Sequence, residues 1–162
     1  MEAHIRGYVP ADHDAVVELS LRAWTPIFAS VNGVLGAELA TRLHGEDWQV
    51  HQARSVHDTL AATSNHGWVT EADERTTGFV VAAIADPDRR IGEIAMLAVD
   101  PRNQGQGLGR ALTDHATDWL QDAGMRVAVI GTGGDPGHAP ARRIYEQAGY
   151  SLMPLAQYFK VL

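Results

Sequence analysis

The stretch Arg102-Asn103-Gln104-Gly105-Gln106-Gly107-Leu108-Gly109-Arg110 sets three glycines at alternate positions, between an apolar run ending at Val99 and an amphipathic run starting at Gly107. Glycine lets a backbone approach a ligand closely, and the first turn of a helix leaves N–H groups unpaired under a partial positive charge. An anion is the fitting occupant, above all a pyrophosphate, because successive N–H groups in such a turn point into one concavity. Two other phosphate loops fail on residues: Arg110 stands where G-x-G-x-x-G needs its third glycine, and no Gly-Lys-Ser/Thr follows. The remaining alternative is a glycine-rich turn that holds no ligand.

Glu93 lies inside the strand-like run Gly92 to Val99, GEIAMLAV. A carboxylate in an apolar strand is costly unless paired or used, and burial raises its pKa toward that of a working base. The opposite reading makes Glu93 a solvent-facing strand residue. The chain has no cysteine, which excludes disulfides, thiolate metal sites and a cysteine nucleophile. His4, His13, His44, His51, His57, His66 and His115 show no H-E-x-x-H or comparable spacing, so no metal site is assigned, and His115 reads as a helix-packing residue.

These groups need a scaffold. Ile5 to Tyr8 reads as a short strand, and Pro10-Ala11-Asp12 opens a helix with Val16, Val17, Leu19, Leu21 and Trp24 at helical spacing. Val34 to Leu43 and Trp48 to Ala62 are weaker helices around a turn near Gly45. Trp68 to Glu71 and Thr77 to Ala85 form a hairpin about the polar turn Ala72-Asp73-Glu74-Arg75. Gly92 to Val99 is a strand stopped at Asp100-Pro101, Gly107 to Gly124 a helix, Val127 to Ile130 a buried strand and Pro140 to Ala148 a helix closed by Gly149. From Tyr150 the chain is extended again, through Tyr158 to Leu162.

With 162 residues, 45% apolar and 20% charged, residues 1–162 are expected to form a single α/β domain of the α+β type. Twenty acidic against 13 basic residues give a formal charge of -7, which repels a phosphate backbone and argues against broad nucleic-acid binding. The start MEAHIRGYVPADHD is too polar for a signal peptide, and the longest apolar run, Gly78 to Ala85, is too short for a bilayer, so a cytoplasmic protein with no membrane partner is expected.

Gln104-Gly105-Gln106-Gly107-Leu108-Gly109 resembles, at every fixed position, the Gln/Arg-x-x-Gly-x-Gly/Ala signature of the GNAT superfamily of N-acetyltransferases. The opening IRGYVPADHDAVVELSLRAW, the strand end AVDP and the late ARRIYEQAGY also resemble family segments in family order, and only Thr25 to His66 lacks a counterpart. The resemblance implies a mixed, mostly antiparallel sheet of six or seven strands flanked by helices and splayed near the coenzyme. It also implies acetyl-coenzyme A as co-substrate, without a metal. The backbone N–H groups of Gln104, Gly105, Gln106, Gly107, Leu108, Gly109 and Arg110 would then hold the coenzyme pyrophosphate. Leu97, Ala98 and Val99 would offer main-chain groups to the pantetheine arm, and the amide of Leu97 or Ala98 would polarise the thioester carbonyl.

An alkylammonium with a pKa of ~10.4 must lose a proton before attacking a thioester, and a departing thiolate, with a thiol pKa of ~8.5, gains from a proton donor. By resemblance Glu93 is the candidate base, directly or through water. Tyr145, in Arg142-Arg143-Ile144-Tyr145-Glu146, is the donor, its alternative being a tyrosine that merely packs. The family's asparagine seven residues before that tyrosine is His138 here, which either contacts pantetheine or belongs to a mobile loop, Gly131 to Gly137, the preferred reading. Arg142 and Arg143 either meet the coenzyme's 3'-phosphate or form a solvated helix face. Trp24, Phe28 and Trp48 fall where the family builds its acceptor pocket, with core packing the favoured role for the two tryptophans. Without a cysteine, direct attack in a ternary complex is expected, on a primary amine of a small molecule or peptide. A homodimer is common in the family. A competing reading keeps the cradle without chemistry, as a non-catalytic acyl-coenzyme A sensor or partner-binding module.

Overall fold

The computed structural model describes residues 4–162, so Met1 to Ala3 of the polar start lie outside the described residues. One sheet, in the order β1-β2-β3-β4-β5, carries helices on both faces. Its strands are β1 (His4–Gly7), β2 (Asn65–Ala72), β3 (Arg75–Asp86), β4 (Ile91–Val99) and β5 (Val127–Ile130). The first four pair antiparallel and β5 joins β4 in parallel. The expected hairpin is present: Asp73 and Glu74 turn it with φ of 49° and 59°, the two positive values that a tight turn matching strand twist requires.

Alternation along the strands sends two sets of side chains to opposite faces. Val69, Phe79, Val81 and Ala98 pack against Val16 and Leu19 of α1 (His13–Leu35) and Val56 of α3 (Trp48–Ala61). Val80, Ala82, Ile94 and Val99 pack against Leu108, Leu112, Ala116 and Leu120 of α4 (Leu108–Asp122). Ile94 is 3% exposed, so Ile94→Val should cost about 0.5–1.5 kcal/mol for the lost methyl group, read as a lower denaturant midpoint at unchanged m.

Three expectations are corrected. The first helix runs on through Pro26 to Leu35, where Gly36 breaks it with a φ of 82° before α2 (Ala37–His44). A mid-helix proline costs roughly 3 kcal/mol, but Phe28, one half-turn later, stacks on Trp48 with ring centroids 4.4 Å apart and holds the helix on α3. The sheet has five strands instead of six or seven, because the segment after Tyr150 joins no ladder. Pro154 removes a donor from the middle of that segment, and β5, whose outer edge it would have to extend, is only four residues long. Finally, β5 is half-exposed instead of buried.

The β3–β4 register slips between Val81↔Met96 and Ala82↔Ile94, leaving Ala95 as an extra residue, a β-bulge. Beyond it β4 has lost its other neighbour, since β5 pairs only with Ile91–Ile94. The sheet is therefore splayed along Ala95–Val99. No helix among the described residues is long and apolar enough to cross a membrane.

Candidate active site

The splay leads directly into the glycine loop. After β4, Asp100 accepts the Arg102 amide at 3.0 Å and starts a short turn through Asn103. Gln104 folds back to donate its Nε2 to the Val99 carbonyl at 3.2 Å, fixing the loop to the strand end. Gly105 and Gly107 have φ of 77° and 82°, a region where a side chain is strained, and nothing lies within 4 Å of where a Cβ would be. Among the described residues no acceptor is recorded for the amides of Gln104 to Arg110; the first bonded amide is that of Ala111, to the Gly107 carbonyl at 3.0 Å. The seven expected cradle residues are thus brought together, Gln104 to Gly107 in the loop and Leu108 to Arg110 in the first turn of α4, whose N–H groups have no intrahelical acceptor. Their donor set fits a diphosphate, and the open space fits one sterically.

Leu97, Ala98 and Val99 lie on the half of β4 that pairs with β3 alone, immediately before this loop. Leu97 and Val99 face α4, while Ala98 faces α1. Glu93 lies at the crotch of the splay, opposite Ala83 and Val129 and next to Ile94, the last paired residue. It is exposed, the solvent-facing of its two readings. At ~3.3 Å per residue, Glu93 stands ~13 Å along the strand from Leu97, a separation that favours relay through water over direct contact with a group held at Leu97.

Helix α5 (Ala139–Gln147) lies against the beginning of α4, where a Cβ on Gly109 would stand 2.9 Å from Ile144 Cδ1, so glycine sets the approach. Arg110 adds a bond from Nη1 to the Gln147 carbonyl at 2.7 Å, and also pairs with Asp114. The next residue to Ile144, Tyr145, is half-buried, 6.4 Å between centroids from the Tyr150 ring. No hydrogen bond of its hydroxyl is recorded among the described residues, whereas the Tyr150 hydroxyl meets Thr117 Oγ1 at 2.7 Å. Burial, with a smaller contribution from Tyr150, pushes the Tyr145 hydroxyl up to about 12. It is protonated throughout the physiological range.

The loop after β5 carries several side-chain ties. Asp135 binds Ser30 of α1 and caps the turn at Gly137, His138 faces the Asp135 carboxylate, and Arg142 donates to the carbonyls of Gly133 and Asp135 at 2.6 and 2.9 Å. Arg142 thus ties this loop through Nη1, while Arg143 is exposed. Phe28 and Trp48 form an aromatic wall with His44, whose edge approaches Phe28 at 4.9 Å. Burial, with His51 nearby, pulls His44 below the usual imidazole range. Trp24 packs against the α1–α3 core and His115 sits edge-on to Trp68 at 5.2 Å.

Two groups escaped notice in the sequence. Asp100, 1% exposed, receives Arg22 of α1 through Nη2 at 2.7 Å and Arg102 of the loop through Nη2 at 2.7 Å. The Arg102 guanidinium first, then its amide and Arg22, overcome burial and hold this carboxyl well below the usual carboxylate range. A depressed folded pKa means that its stabilisation is complete above the unfolded value of ~3.9 and fades only as pH falls toward the folded one. The stability of Asp100→Asn should accordingly respond less steeply to acid below about pH 4 than that of the parent. At neutral pH the substitution should cost about 1–3 kcal/mol, less than for a fully buried pair because both arginines keep solvent access. Urea melts at several pH values check both. Ser30 is the other, and only its place beside Asp135 in space, 105 residues away in sequence, gives it a role.

The Acetyltransferase (GNAT) family model matches residues 35–150. Over 150 residues the chain is 33% identical to the mycothiol acetyltransferase of Tsukamurella paurometabola, an alignment covering 91% of this chain and 48% of that protein. The chain thus spans about half the length of that curated relative. Among solved structures, a GNAT family acetyltransferase from Brucella melitensis in complex with acetyl-CoA superposes with a TM-score of 0.64 at 20% identity, covering 93% of this chain and 84% of the other. The PaiA N-acetyltransferase of Thermoplasma acidophilum, in complex with coenzyme A, gives 0.65 at 15% identity, covering 91% and 89%. These two likenesses concern the fold. The match of the family model over residues 35–150 establishes that the chain belongs to the GNAT acetyltransferase family.

Proposed function

We propose that residues 1–162 act as one N-acetyltransferase unit that binds acetyl-coenzyme A between β4 and α4 and passes its acetyl group to a primary amine. The observation that carries this reading is the run of unpaired amides from Gln104 to Arg110, joined without a break to the open edge of β4. The bound thioester supplies an activated acyl group open to direct attack by an amine. The chain's own groups hold the diphosphate on the loop amides, align the arm along Leu97 to Val99 and polarise the acyl oxygen with a β4 amide. Glu93, at the crotch and in contact with solvent, takes the ammonium proton through water. Tyr145 donates to the departing sulfur.

The aromatic wall of Phe28, Trp48 and His44, in the stretch before His66, borders the acceptor's side. A net charge of -7 favours cationic acceptors by steering, whether small molecules or peptides. The test is the purified protein incubated with acetyl-coenzyme A and a panel of amines under thiol-release detection, alongside calorimetry with coenzyme A. Amine-dependent thiol release supports the reading. Coenzyme binding without turnover of any amine transfers support to the sensor, and no heat with either form of the coenzyme removes both.

A further inference from the structure

The turn between β5 and α5 contains a closed side-chain circuit. Asp135 Oδ2 accepts Ser30 Oγ at 2.6 Å and the Gly137 amide at 3.1 Å, and the same amide reaches Ser30 Oγ at 2.9 Å. The other carboxylate oxygen, Oδ1, faces His138 Nδ1. Arg142 ties the same turn from α5 through the carbonyls of Gly133 and Asp135. A Cβ on Gly133 would collide with Asp135 Oδ1 and His138 Nδ1, and one on Gly137 would lie 2.6 Å from Ser30 Cβ. Both glycines are required for the circuit to close.

The circuit decides where the His138 proton sits. Burial alone would raise the Asp135 pKa, but the hydrogen bonds from Ser30 and His138 outweigh it and keep the carboxyl below its ordinary range. An ionised carboxylate only accepts, so the nitrogen facing it must carry the hydrogen. In the neutral ring the proton is then on Nδ1, and Nε2 is left as an acceptor with no partner recorded among the described residues. His138 is the residue that begins α5, seven positions before Tyr145.

We propose that Asp135, braced by Ser30, is a positioning residue that fixes His138 in its Nδ1-protonated tautomer so that Nε2 accepts an amide N–H of the coenzyme arm. This rests on the acetyltransferase reading. It also links α1, which borders the acceptor, to α5, which carries Tyr145, through one carboxylate.

Nitrogen-15 NMR of histidine-labelled protein at pH 8 reads the tautomer without any turnover. The expected result is a pyrrole-type Nδ1 and a pyridine-type Nε2 for His138, assigned by His138→Asn, with the two forms mixed in Asp135→Asn and partly mixed in Ser30→Ala. In kinetics, Asp135→Asn should raise KM for acetyl-coenzyme A about 10-fold and leave kcat within about 2-fold, and should add nothing further in the His138→Asn background. Ser30→Ala, the gentler change, gives the same direction if Asp135→Asn fails to fold. A wild-type His138 protonated on Nε2, or additive effects of Asp135→Asn and His138→Asn, overturns the proposal. Wild-type protein that gives no heat with coenzyme A refutes the functional reading beneath it, whereas a normal heat unchanged by Asp135→Asn refutes the positioning role alone.

Discussion

Gly107→Val weakens coenzyme A binding by roughly 10²- to 10⁴-fold while leaving the sheet intact. Gly107 precedes α4 with a φ of 82°, and a β-branched residue held there costs about 1–3 kcal/mol. The backbone relieves that cost by rotating, which turns the neighbouring amides away from their common focus. Hydrogen bonds to charged groups contribute about 1.5–3 kcal/mol each, so losing two gives the stated range. A glycine chosen for the turn alone would cost stability and spare affinity. Calorimetry with coenzyme A, set beside thermal melts of the free protein, separates the two: a large loss of affinity with a small fall in Tm is expected, and unchanged affinity would remove the loop from the ligand site.

Tyr145→Phe lowers kcat roughly 10- to 150-fold with KM for acetyl-coenzyme A nearly unchanged. A hydroxyl at about 12 is a weaker acid than a thiol at ~8.5, and the difference of about 3.5 units, or ~5 kcal/mol, disfavours complete proton transfer to the sulfur. The hydroxyl therefore stabilises the departing thiolate as a hydrogen-bond donor, a contribution of about 1.5–3 kcal/mol realised as the bond breaks. The same value places the loss of this donor above the usual working range, so the wild-type kcat profile should show no alkaline limb from Tyr145 below about pH 11. Steady-state kinetics over pH 6–10 tests both points. A variant with full kcat would make Tyr145 a packing residue.

Local patterns made most of the scaffold legible. The hairpin about Asp73-Glu74, the strand stopped at Asp100-Pro101 and the glycine loop before an amphipathic helix each depend on neighbours a few residues apart. The failures depend on distance. The helical pattern weakens after Trp24, and what carries the first helix on past Pro26 is the distant meeting of Phe28 with Trp48. Asp100 and Arg22 are 78 residues apart in the chain and Ser30 and Asp135 are 105 apart, so nothing local announces either pair. Arg142 looked solvated or ligand-bound because the carbonyls that capture it belong to a loop whose closure needs Ser30. The burial of Glu93 stayed open for another reason: an acidic residue in an apolar strand is buried or exposed according to the strand's phase, and a β-bulge shifts that phase with no local signal.

That extra residue, Ala95, works as a gear change. Ile94 and Leu97, an odd number of steps apart, both turn toward α4, and Met96 and Ala98 turn toward α1. Upstream of the shift, Glu93 shares its side with Ala83, opposite to Ile94. Deleting Ala95 alone would remove the extra step and straighten β4 while leaving Glu93 and Leu97 on opposite sides. Deleting two residues there would instead force a choice between rotating the acidic group into the oily layer under α4 and rolling Leu97 and Val99 out of it.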